Sequence, residues 1–226
     1  VQFYAAAAAS LAKDSRLAIA ALERAKNTPY RQYDVYQYLC YEYGEARTAQ
    51  DSVMLEKTFE EGMQVFPDSA FFLNNLINTY IYSNRNEKAL EMLNVAIQKN
   101  PNDANLYNVM GRVYETGLKD YANAEKNFQI ALEKDPNLTD ALSNIGRIYY
   151  NQGVNKLSEA NMINDSKKYQ EELGMAKDLF KKALPYYKKA HEAEPEKMDN
   201  MIALRGIYYN LNMGPELEAI EAEMNK

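Results

Sequence analysis

Prolines and small residues recur in step along this chain, and that register limits what it can fold into. Pro67, Pro101 and Pro136 are separated by 34 and 35 residues. Each closes a run with a fixed pattern: Leu55-x3-Phe59-x2-Gly62, Ala89-x3-Leu93-x2-Ala96 and Ala124-x3-Phe128-x2-Ala131. Each of these runs follows another: Tyr36-x2-Leu39-Cys40-x2-Tyr43, Leu73-x2-Leu76-Ile77-x2-Tyr80 and Tyr107-x2-Met110-Gly111-x2-Tyr114. Spacings of three and four put these residues on one face of a helix, because a helix turns once in about 3.6 residues. Turn formers such as Ser83-Asn84-Arg85-Asn86 separate the two runs, and proline cannot continue a helix interior. The unit is therefore a pair of amphipathic helices, and its recurrence is the signature of a tandem array.

The rest of the chain reads as variations on this unit, with repeats at 1–28, 30–67, 70–103, 104–138, 139–197 and 198–226. The first is Ala-rich and carries Ala18-x3-Leu22-x2-Ala25, with Asp14-Ser15 as the cap of its second helix. The second has three more residues between its helices than the 70–103 repeat, and the fourth has one more. The fifth opens normally with Leu142-x2-Ile145-Gly146-x2-Tyr149, but its closing run, Ala183-x3-Tyr187-x2-Ala190 before Pro195, arrives 25 residues late. Leu157, Ala160 and Asn164 extend one apolar stripe. Tyr169, Leu173, Ala176, Phe180, Ala183, Tyr187 and Ala190 alternate four and three, as in paired helices. Asn164-Asp165-Ser166 supplies turn and cap chemistry between them. Both helices of this repeat are expected to lengthen into an antiparallel projection, reaching roughly 18 Å further at about 1.5 Å per residue. Pro185 is expected to kink the second arm. In the last repeat Arg205 stands where a small residue is expected. Its final helix puts Leu217, Ile220 and Met224 on one side and glutamates elsewhere, which suits a terminal cap.

These slots resemble those of the tetratricopeptide repeat (TPR) family along nearly the whole chain. The resemblance implies an all-α, right-handed α-solenoid of tetratricopeptide helix pairs, one repeat with elongated helices, its first helices lining a concave groove. The stretches Asn151–Val154, Glu159–Asn161, Phe180–Tyr186 and Lys189–Pro195 are also similar to envelope-associated TPR proteins of Bacteroidetes, which carry the same enlarged repeat. That similarity implies a periplasmic or envelope-anchored protein, the cytoplasm being the alternative. Because the sequence begins at Val1 rather than Met, an upstream segment is expected to have been removed.

Composition narrows the function classes. With 26 Lys and Arg against 32 Asp and Glu, net −6, no basic block longer than two residues occurs. No nucleic-acid partner is expected, since phosphate tracking needs concentrated cations. No apolar run approaches the ~20 residues that cross a bilayer, so no transmembrane span is expected within the chain. The single cysteine, Cys40, permits no internal disulfide and fills a small-residue slot, where a thiol packs as a small hydrophobe. His191, the only histidine, has no second histidine or cysteine nearby, so it reads as a helix-face residue rather than a base or ligand. Acidic stretches such as Glu56–Glu61 and Glu216–Glu223 alternate at helical spacing and read as solvated faces. Neither a catalytic residue, a metal site nor a cofactor is expected, and the chain reads as no enzyme.

Removing the residues used in repeat packing leaves the expected groove wall: Asn74, Asn78, Tyr82, Asn108, Arg112, Glu115, Ser143, Arg147, Tyr150 and Asn151. Asn and Tyr can hydrogen-bond an extended peptide backbone, and arginines can hold a carboxylate. The competing reading is a merely hydrated groove. No lysine stands among these positions, so the Lys-Asn-Asn-Lys-Arg clamp with which some TPR domains hold chaperone tails is not expected. The resulting expectation is a scaffold that binds a protein or peptide through its concave groove or its projection. The alternative is a structural, self-associating subunit of an envelope assembly that uses residues 153–176.

Overall fold

The computed structural model describes residues 2–46 and 48–225. Among these the chain is helical without strands, and it divides into two compact units, Val1–Asn94 and Val95–Lys226. The helices are α1 (Gln2–Leu11), α2 (Ser15–Ala25), α3 (Gln32–Ala46), α4 (Ala49–Val65), α5 (Ala70–Tyr82) and α6 (Asn86–Lys99), within which the division falls. Then come α7 (Ala104–Arg112), α8 (Tyr121–Lys134), α9 (Thr139–Ala160), α10 (Ser166–Ala193), α11 (Met198–Asn210) and α12 (Gly214–Met224).

In the first unit the core takes in the expected slots Leu22, Ala25, Leu39 and Tyr43 together with neighbouring apolar residues. Phe3, Ala6, Ile19, Leu22 and Ala25 of α1 and α2 pack with Val35, Leu39 and Tyr43 of α3. Small residues let α1 and α2 approach closely. Gly62 of α4 serves the same end, since a Cβ there would lie 2.6 Å from the ring of Phe72. Side-chain caps start the helices: Asp14 accepts from Leu17 N, and Thr48 forms a reciprocal capping box with Asp51. The three extra residues of this repeat lengthen α4 at its start, so that Leu55 comes two turns in. Asp51 is also gripped by Arg16 at 2.6 and 2.9 Å. The guanidinium and the Thr48 hydroxyl hold its carboxyl down to about 2. Cys40 is buried as expected, and desolvation pushes its thiol up to about 12, far from a reactive thiolate.

In the second unit α7 to α12 pack each on the next, and α9 also meets the first helices on either side, α7 and α11. The fifth repeat is elongated as expected, α9 having 22 residues and α10 having 28. Their pairing runs the length of the hairpin. Tyr149 stacks on Tyr186, a Cβ at Gly153 would meet the Phe180 ring at 3.0 Å, and Lys156 bonds Glu172 at 2.8 Å. Ala160, Ala176, Phe180, Ala183 and Ala190 are buried, so the four-three stripe is the seam. Asn164 does not extend the stripe of Leu157 and Ala160, because the chain has already left α9 after Ala160. Asp165 caps α10 by accepting from Lys168 N. Helix α10 runs through Pro185 unbroken. Arg205 is exposed, and the small residue that matters in α11 is Gly206, against which the Tyr150 hydroxyl lies.

One turn recurs between paired helices. Lys13, Asn84, Lys119 and Asn212 each adopt positive φ, near 60°. The following N–H reaches back to a carbonyl of the preceding helix: Asp14 to Ala9, Arg85 to Tyr80, Asp120 to Tyr114 and Met213 to Tyr208. This is the left-handed helix stop that glycine usually provides. The extra residue of the fourth repeat is absorbed before the stop, by a π-helical turn at Val113–Gly117. A one-residue insertion widens the helix there without changing the hairpin.

Candidate functional site

Three first helices of the second unit, α7, α9 and α11, share a polar seam. Asn144 donates to Asn108 Oδ1 at 3.0 Å, and Arg147 donates to Asn144 Oδ1 at 2.8 Å and to Glu115 at 2.9 Å. Ser143 donates to Asn200 Oδ1 at 2.9 Å. Glu115 sits in the π-helical turn and is buried, and desolvation raises its carboxyl above the ordinary value although Arg147 opposes the shift.

Beside this seam lies a cleft of about 370 Å³ between α9 and α11. Ser143, Asn144, Arg147, Tyr150 and Asn151 line one side, and Asn200, Ile202 and Ala203 the other, with Tyr187 from α10. Lys197 stands at its edge, bonded to Asp140 at 3.1 Å and Glu194 at 3.0 Å; the Glu194 bond is the main cause that raises its ammonium. Asn200 is fully buried, and its Nδ2 has no hydrogen-bond partner. A buried donor left unpaired costs roughly 1–3 kcal/mol, and a carbonyl in the cleft would recover that energy only if the Asn200 amide turned outward to meet it.

Four residues expected on the groove wall therefore line one cleft: Ser143, Arg147, Tyr150 and Asn151. Asn108 and Glu115 are buried instead of open, because Asn144 and Arg147 of the neighbouring helix cover them. Arg112 is exposed at the end of α7. Asn74, Asn78 and Tyr82 belong to the first unit and are exposed on α5, Tyr82 by 87%. The pattern missed Asn144 and Asn200. Asn200 occupies the helix position filled by Leu106 in α7 and Ala141 in α9. A polar residue in an apolar slot was the available signal.

The remaining chemistry-bearing residues are occupied structurally. His191 Nε2 lies 3.3 Å from Glu223, tying α10 to α12. Among the described residues no group of His, Cys, Asp and Glu could hold a metal ion. No helix there is long and apolar enough to cross a membrane.

The helix-pair arrangement is shared with solved structures. Two crystal structures of MamA are similar. One has a TM-score of 0.57 at 18% identity over 87% of this chain and 92% of that one. The other has a TM-score of 0.56 at 19% identity over 85% and 96%. No family model and no curated protein matches the chain. The fold is thus all-α, an α-solenoid of tetratricopeptide-type helix pairs with one pair elongated.

Proposed function

We propose that the chain is a non-enzymatic interaction scaffold whose cleft between α9 and α11 holds an extended peptide or protein segment. The observation that carries this reading is the unpaired Nδ2 of Asn200, buried at the edge of a cleft otherwise lined by Ser, Asn, Arg and Tyr. Extended backbone offers a carbonyl at every residue, and amide side chains on a rigid helix can engage it at low entropic cost. Arg147, with 39% of its side chain exposed, is held by Glu115 and Asn144 in one orientation beside the segment.

Display of random peptides against the full chain, followed by affinity measurement of the enriched sequences, tests this. Asn200→Ala is expected to weaken them by about tenfold, the effect of one lost hydrogen bond in a buried site. Enriched peptides that bind Asn200→Ala unchanged would place recognition elsewhere.

A second reading is self-association through the projection. Met162 at its tip is 81% exposed and Met175 on its flank 53%, two adaptable apolar side chains of the type used at binding surfaces. Sedimentation at rising concentration would show growing mass for the whole chain and none after deletion of 153–176. For location, we propose the bacterial envelope, which the enlarged repeat's resemblance supports; cell fractionation tests it.

A further inference from the structure

A second cleft in the same unit, about 590 Å³, lies where the end of α8 meets α9 and α10. It shares no lining residue with the polar cleft. Leu132, Leu142 and Pro136 supply apolar walls, and the rings of Tyr149 and Tyr186 stack 6.0 Å apart. The Tyr149 hydroxyl is engaged by Glu125 at 2.5 Å. What Tyr149 offers an occupant is therefore its ring rather than its hydroxyl. Pro185 completes the wall, exposed and inside a helix, where proline is unfavourable by roughly 3 kcal/mol relative to alanine. No burial of its ring in the core offsets that penalty.

Two ammonium groups flank this apolar surface. Lys182 Nζ lies 5.8 Å from the centre of the Tyr149 ring, and Lys189 Nζ donates to the Pro136 carbonyl. Neither forms an ion pair among the described residues, which is equally true of Lys126, Lys167, Lys168, Lys177 and Lys188 of the same unit, so what sets these two apart is their place beside the cleft. Beside this cleft the two exposed ammonium groups outnumber the one carboxylate seen on its tyrosines, that of Glu125 on the Tyr149 hydroxyl. The volume falls within the roughly 300–1,000 Å³ range of small-molecule sites. We propose that this cleft binds a small carboxylate with an aromatic or apolar body. The body would lie on the two tyrosines and against Pro185, and the carboxylate would reach Lys182 and Lys189.

Titration of the full chain with 2-naphthoate, read by calorimetry and by ligand-observed NMR, tests the proposal. Saturable binding is expected, weakened at least about tenfold for neutral 2-naphthamide and for the Lys182→Gln/Lys189→Gln double variant. Both lysines are exposed, so the variant is expected to fold, and its melting curve checks that. Asn200→Ala, in the other cleft, is expected to bind 2-naphthoate as the wild type does. No saturation up to about 10 mM, a dissociation constant too weak for a built site, would overturn the proposal. Equal binding of the amide, equal binding by the double variant, or loss in Asn200→Ala would do so as well.

Discussion

The short pair α7–α8 and the long pair α9–α10 use the same lock at different reach. In the short pair Gly111 lies against Phe128, a Cβ there being 2.6 Å from the ring. In the long pair Gly146 lies against Tyr187, and Gly153 repeats the contact against Phe180, one heptad further along both helices. The elongation is therefore a second copy of an existing contact, in the antiparallel direction, and no new type of packing is required. Small residues then carry the seam outward through Ala176 and Ala160 to the loop. The two pairs differ in how they turn. The short pair closes through Lys119 at φ 56° after a π-helical turn, and none of the positive-φ residues falls in the long pair's loop before Asp165.

The largest test of this equivalence is to remove the aromatic from each lock. Phe128→Ala and Phe180→Ala are each expected to cost about 3–5 kcal/mol in chemical denaturation. A cost under about 1 kcal/mol for Phe180→Ala alone would mean the long pair's outer part is not a continuation of the core. Pro185→Ala, a change available only in the long pair, is expected to stabilise by about 1–3 kcal/mol, by restoring a helical N–H. If it does not, α10 has already accommodated the proline without loss.

The glycines should separate the pairs more finely. Gly111→Ala drives a Cβ into a fully buried ring, which outweighs the ~1 kcal/mol gained in helix propensity; a net loss of about 1–2 kcal/mol is expected. At Gly153 the same Cβ meets Phe180 at 3.0 Å, and a shift of a few tenths of an ångström suffices. Gly153→Ala is therefore expected to be near neutral, and equal losses at both sites would show that the long hairpin cannot spread.

The smallest effect concerns the π-helical turn. Burial holds the Glu115 carboxyl above its ordinary 4.5 in the folded chain. Its folded value exceeds the unfolded one, so its contribution is full below about pH 4.5 and is lost as pH rises through the folded value. Wild-type stability relative to Glu115→Gln should therefore decline over that rise, measured by urea unfolding between about pH 4 and pH 8. A flat difference would mean that Arg147 offsets the desolvation entirely.

Much of this architecture is legible in the residues themselves. The Tyr, Ala and Pro slots mark the helix pairs because each is a steric requirement of close packing or of helix termination. The enlargement of the fifth repeat is legible too, since its stripe of alternating four and three runs unbroken through the added residues and marks one continuous helix face. The cleft is half legible: Ser143, Arg147, Tyr150 and Asn151 follow from helix register. Asn200 does not, because the pattern assigns its position to the core and says nothing of a donor without a partner. The turns are hidden for a different reason. Lysine at positions 13 and 119 carries no sign of the left-handed backbone that glycine would have advertised.

Sequence alone thus determined the helical class, the pairing of neighbouring helices and the outward reach of one pair, all consequences of local periodicity. Tertiary structure decided which polar side chains neutralise one another. Asn108 and Glu115 became buried partners of Asn144 and Arg147, while Asn200 kept an unpaired donor and Lys182 and Lys189 have no carboxylate partner among the described residues. Periodicity gives the face a residue occupies, but hydrogen bonding and charge compensation depend on which helix lies opposite, here 36 residues away for Asn144 and Asn108 and 32 for Arg147 and Glu115.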